Sequence, residues 1–181
     1  LSSSSAASDV YKRQVYFAGQ ASFNESLANF VGHRGAIAFF EERQIADAAR
    51  RARDRWHDAR QFGDFLSDVL GRLGTAYARG VGDEERRRLF AEVRQAYHER
   101  PWRTGEYDGF ASGPINNAVL LSRRVYFDQL ELFDEVLTRF GGDDPGDGAR
   151  QIAAARSDEC AYRGVENALR ARPAGAAMAA R

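Results

Sequence analysis

"YFAGQASFNESLANFVGHRGAIAFF", residues 16–40, carries one carboxylate in a run of apolar and small residues. That carboxylate is Glu25. Apolar side chains return as Phe23, Leu27, Phe30 and Val31, which is one face of a helix. The other face reads Glu25, Ala28, Gly32 and Ala36, where small residues let a second backbone or a ligand come close. Ser22 or Asn24 suits the cap of such a helix. Glu25 therefore has two readings. It is an acid at a helix start, stabilised by the dipole, or it is a ligand whose orientation is set by Asn24.

Outward from that segment, the chain reads as helix after helix. Its 181 residues, 44% of them hydrophobic, fit one domain with its own core. Acids and bases balance at 26 each, which argues against a general electrostatic grip on nucleic acid. No apolar run reaches the ~18 residues of a membrane span. Cys160, the only cysteine, forms no internal disulfide. Residues 1–14, "LSSSSAASDVYKRQ", stand apart. They hold five serines and the only lysine, Lys12, in a chain whose other bases are all arginine. The head reads as a non-native leader, with the native chain starting near Val15.

Glu41 to Arg79 reads as one long arginine-rich helical run, ended by the glycines Gly80 and Gly82. Asp83 opens another helix with Glu84 and Glu85 in its first turn, and Leu89, Phe90, Val93 and Tyr97 as its buried stripe. "WRTGEYDGFASGP" is a loop. A helical run from Ile115 to Phe140 breaks near Asp128, "GGDDPGDG" is a turn, and a last helix spans Ala149 to Leu169. "VYFAG" is the one candidate strand. The expected fold is mainly α, a helical bundle over residues 15–170, with a disordered tail over 171–181.

Taken in order, "VYFAGQASFNESLANFVGHRGAIAFF", "RDRWHDARQFGDFLSDVLGRLGTAYARG", "EERRRLFAEVRQAYHE" and "INNAVLLSRRVYFDQLELFDEVLTRFGGD" resemble successive blocks of a family of predicted bacterial zinc aminopeptidases. The likeness spans roughly Val15 to Asp144. It implies the C-terminal helical part of a zincin-like metallopeptidase that removes N-terminal residues from peptides. In such enzymes two histidines of an HExxH helix bind zinc, its Glu activates water, and a Glu on a following helix is the third protein ligand. By this resemblance Glu25 is that third zinc ligand. Asn24, Asn116 and Asn117 line the substrate cleft, and Tyr126 donates to the oxyanion. The resemblance also implies an envelope or periplasmic location. The chain departs from the pattern in having no HExxH. His33, His57 and His98 are widely spaced. The resemblance thus implies a fragment truncated before the third ligand, inactive and without zinc on its own.

Each candidate also has a plainer reading. Asn116 and Asn117 follow Gly113-Pro114 and suit a helix cap. Tyr126 suits a core tyrosine with a satisfied hydroxyl. His33, His57 and His98 read as surface residues, His57 on a solvated face with Arg55, Asp58 and Arg60, and Cys160 reads as inert. "DDPGDG" lacks the closing Glu of a calcium loop. The rival to the peptidase reading is a non-catalytic helical module that binds a protein partner.

Overall fold

A computed structural model describes residues 16–141, Ile152 and residues 160–171. The leader 1–14, most of the "GGDDPGDG" turn and the tail beyond Ala171 lie outside the described residues. So does most of the first half of the expected last helix. Among the described residues the protein is helical with no strand.

Helix α1, Ala21–Glu42, is buried on most of its circumference. Phe23, Leu27, Phe30 and Val31 are covered as expected, but so are Asn24, Ser26, Ala28 and Gly32. A helix buried all round sits at the centre of its bundle. It starts at Gln20, which makes no side-chain cap, rather than at Ser22 or Asn24. Those two lie inside the helix with partners elsewhere in the chain. The candidate strand is a turn: the Asn24 side chain accepts from Phe17 N at 2.9 Å and donates to Phe17 O at 2.7 Å. This pair holds Phe17 beside the helix, and Gly19 with φ 76° makes the bend.

The arginine-rich run is one helix except at its start, where Glu41 and Glu42 still belong to α1. α1 ends where Gln44 adopts φ 57° and the N–H groups of Gln44 and Ile45 bond back to Glu41 O and Phe40 O. This pair of bonds is the Schellman closure. Helix α2, Ala46–Ala78, has 33 residues and is about 50 Å long at 1.5 Å per residue. Gly80, with φ 79°, closes it in the same way, with Val81 N on Ala76 O and Gly80 N on Tyr77 O. Helix α3, Asp83–His98, carries its three acids in the first turn and buries Val93 and Tyr97. The expected loop after Pro101 contains a short helix, α4, Asp108–Ser112. Helix α5 is Asn117–Phe127, and the expected break falls at Asp128 and Gln129, the latter at φ 51°. Helix α6, Leu130–Val136, continues into one wide turn at Leu137–Gly141. Helix α7 is Ala161–Ala171, and its first N–H donates to Gln20 Oε1 at 2.6 Å.

Two aromatic cores lie along α2. Phe23, Phe30, Trp56 and Phe133 anchor the first with α1, α6 and α7. Phe62, Phe65, Tyr97 and Phe110 anchor the second with α3, α4 and α5. Phe127 and Tyr107 pack against both.

Glycines in α2 are not equivalent. A Cβ on Gly63 would sit 2.5 Å from Phe127 O, so this glycine lets α5 lie directly on α2. Gly74 is exposed, and a Cβ there meets nothing within 4 Å. Gly63→Ala should therefore cost about 2 kcal/mol through overpacking against backbone. Gly74→Ala should gain about 0.5–1 kcal/mol through helix propensity. Paired urea melts check both signs.

Candidate functional site

Glu25 is the fifth residue of α1, half-buried, and no acid lies in the first turn of that helix. Ser22, Glu25, Ser26 and Asn29 stand at spacings of three, one and three, so they share one side of α1. That side meets the C-terminus of α5. The last carbonyls of a helix have no partner within it, and extended Asp128 (ψ 125°) stops α5 from capping itself. α1 supplies the missing donors. Ser26 Oγ donates to Val125 O at 3.1 Å, and Asn29 Nδ2 donates to Tyr126 O at 2.8 Å. Ser26 Oγ also accepts from Asp128 N at 2.9 Å, and Ser22 Oγ donates to Asp128 Oδ2 at 3.1 Å. Tyr162 of α7 donates its hydroxyl to Asp128 O at 3.2 Å. Burial, with Asp128 adding to it, pushes the Tyr162 hydroxyl well above the usual tyrosine range, so it stays a neutral donor.

The structure thus brings Glu25 and the backbone of Tyr126 to one end of the α1–α5 pair. Tyr126 is 47% exposed, not a core tyrosine. Asn116 and Asn117 lie elsewhere. Asn116 is the cap of α5, accepting from Val119 N at 3.0 Å. Asn117 Oδ1 accepts from the Tyr77 hydroxyl at 3.0 Å, beside the end of α2. Nine residues of helix separate Asn117 from Tyr126, about 14 Å of rise. Asn24 has both ends of its carboxamide committed to Phe17. A small cavity of about 160 Å³ lies beyond Asp128, between Gly63, Asp64, Arg124 and Glu131. Burial raises the carboxyls of Asp64 and Glu131 above their ordinary range.

The solvated-face reading of His57 and Asp58 is corrected. Asp58 is wholly buried and His57 is half-buried, with Nδ1 3.0 Å from Asp58 Oδ1. His33 is also half-buried, its ring 5.5 Å from that of Trp56. Burial, then the Arg55 charge, lowers its pKa to about 4, so it is neutral near pH 7. His98 is exposed, as expected. Three residues escaped the sequence reading. Asp58 sits in an arginine-rich run and reads as solvated. Asn29 lies one turn past Glu25, a spacing that could have marked it. Asp134 binds Trp56 Nε1 at 2.9 Å and Arg60 at 3.2 Å across α2 and α6, which no local pattern foretells.

Zinc sites take three or four protein ligands. Among the described residues no group of three or more His, Cys, Asp or Glu stands close enough to hold a metal. Glu25 is one donor, and the chain pairs no histidines at metal-binding spacing. These residues by themselves do not fit zinc. No helix among the described residues is long and apolar enough to cross a membrane.

Comparison with curated proteins gives no match, and comparison with solved structures gives none. A family described as "Putative aminopeptidase" does match, over residues 9–156. That span takes in α1 through α6 and most of the 181 residues, and the chain belongs to this aminopeptidase family.

Proposed function

We propose that the protein is the helical part of a zincin-like, zinc-dependent aminopeptidase, with Glu25 as a zinc-ligand carboxylate and Tyr126 as a donor to the oxyanion. The observation that carries this reading is the junction of α1 and α5. Serine and asparagine side chains on the Glu25 side of α1 tie down the Tyr126 end of α5. A ligand carboxylate needs a fixed backbone, and Glu25 stands on the central helix of the bundle. Ala28 and Gly32, further along α1, are already covered within this bundle, so a histidine-bearing helix would have to approach the half-buried Glu25 itself. Tyr126 is half exposed, so on this reading its hydroxyl could reach a substrate carbonyl, where one well-placed donor is worth about 10²–10³ in rate. Asn117 and Tyr77, about 14 Å along α5, would meet a peptide about four extended residues away.

On this reading a histidine pair would have to be supplied by polypeptide outside these residues. Two preparations test this. The 181-residue chain should hold well under 0.1 zinc per molecule after dialysis, and the protein of the complete reading frame about one. Only the latter should release N-terminal residues from a peptide, and a chelator should stop it. A complete protein that binds no zinc, or cleaves peptides equally well after chelation, would sink the proposal.

A further inference from the structure

Trp56 of α2 meets two rings of α1. Phe30 packs on it at 5.8 Å between ring centroids, and His33, one turn later, at 5.5 Å. Trp56 is buried in the first core, so His33 lies on the contact that joins α1 to α2 there. The cations of this seam are arginines: Arg34 from α1, Arg55 and Arg60 from α2. α6 answers with Asp134, but that carboxylate is committed. It accepts from Trp56 Nε1 at 2.9 Å and from Arg60 at 3.2 Å, and Arg34 Nε lies 3.6 Å away. Glu106 pairs with Arg55 at 3.3 Å, Asp54 with Arg103 at 3.4 Å, and Glu41 with Arg53. Among the described residues no carboxylate bonds to the His33 ring. A proton on that ring adds a half-buried cation beside Arg55 with no carboxylate free to receive it.

We propose that His33 is an acid-sensitive latch between α1 and α2: neutral, it completes the packing on Trp56, and protonated, it loosens the contact of the two helices. Neither Glu25 nor zinc enters this latch. Burial, then the Arg55 charge, sets the folded ring's midpoint at about 4, against 6.5 for an ordinary histidine. A group depressed in the folded state contributes fully above its unfolded value and loses that contribution as pH falls. Here the loss runs from 6.5 down towards 4. From this one ring the folding constant should fall roughly 20-fold or more between pH 7.5 and pH 4.5. Asp64 and Glu131, whose carboxyls burial raises, gain stability as pH falls, so the latch is read as a difference between two proteins.

The test uses the 181-residue chain without metal. Urea melts of the wild type and His33→Gln are compared from about pH 7.5 down to about pH 4.5. Glutamine keeps a polar, uncharged side chain at the seam and cannot take the proton. The ratio of folding constants, wild type over His33→Gln, should fall roughly 20-fold across that interval. Arg55→Gln, which removes the second cause, should make the fall smaller. The His33 ring is also titrated by NMR in the folded wild type, its signal assigned by its loss in His33→Gln, and its midpoint should lie near 4. A ratio that does not change with pH overturns the latch. So does a ring midpoint at or above 6.5, which would mean that the Trp56 face holds the charged imidazole. If His33→Gln does not fold, His33→Phe, which keeps a flat ring beside Trp56, takes its place in both measurements.

Discussion

Asp58→Ala should cost the fold about 3–4 kcal/mol, a large share of the 5–15 kcal/mol a domain possesses. The carboxylate has no exposed surface and serves four donors. Arg103 N lies at 3.0 and 3.1 Å from its two oxygens, Thr104 N at 2.7 Å and Thr104 Oγ1 at 2.8 Å. His57 Nδ1 completes the set at 3.0 Å. Alanine strands buried donors, each costing about 1–3 kcal/mol, less whatever the loop regains by opening to water. The loop in question delivers aromatic rings. Trp102 donates to Tyr97 O at 2.7 Å, and Tyr107 stacks on Phe62 with ring centroids 4.5 Å apart. Loosening residues 101–107 therefore opens the second core as well. Burial alone would raise the Asp58 carboxyl, but the bonds from Arg103, His57 and Thr104 outweigh it and leave its pKa below the usual range. A depressed carboxylate stabilises the fold above its unfolded value, about 3.9, and loses that contribution as pH falls through the folded value. The wild type should thus lose stability below about pH 4 more steeply than Asp58→Ala does. Urea melts at pH 7 and below pH 4, with amide exchange at Arg103 and Thr104, read both effects. A cost under about 1 kcal/mol at pH 7 would show that the carboxylate is not what anchors the loop.

The fold was legible wherever one side chain's period or one turn's chemistry decided it. Phe23, Leu27, Phe30 and Val31 gave the core face of α1, Gly80 gave the end of α2, and the acids after Gly82 gave the start of α3. The break at Asp128 was also readable, because Asp and Gln there interrupt the apolar period between Phe127 and Leu130. What escaped was decided by partners distant in sequence. Asn24 looks like a helix cap until Phe17 takes both ends of its side chain. Gln44 gives no glycine signal, yet it makes the left-handed turn that separates α1 from the arginine-rich helix α2. Asp58 lies among arginines and looks solvated, but a loop 45 residues later closes over it. The candidate site divides in the same way. Family likeness pointed to Glu25, while its junction with α5 depends on bonds between residues roughly a hundred positions apart.

Glu25→Ala should abolish function while leaving the fold standing, and that contrast is what makes it informative. A core residue of α1 cannot offer it: Phe30 is fully buried and its truncation would cost about 3–5 kcal/mol, so lost activity would follow from unfolding. Glu25 is half-buried in mid-helix, where alanine has the best helix propensity, so the expected stability change stays within about 1 kcal/mol. The bonds that hold α5 in place come from Ser22, Ser26 and Asn29 and survive the substitution. Under the proposed function the loss of a zinc ligand is another matter. Even groups that merely orient a ligand cost 10–100-fold in metal affinity when removed. Loss of a ligand itself should empty the site at micromolar zinc and lower peptide hydrolysis at least about 1,000-fold. Zinc content by elemental analysis, the thermal midpoint and hydrolysis of an N-terminal residue should be measured on the same preparation. A variant that melts like the wild type, holds no zinc and does not turn over identifies Glu25 as the ligand. A variant that melts normally and keeps both zinc and activity reduces Glu25 to an ordinary helix acid. A ligand carboxylate would then have to be sought elsewhere, with Asp64, Asp128 and Glu131 around the cavity beside α5 as the first residues to replace.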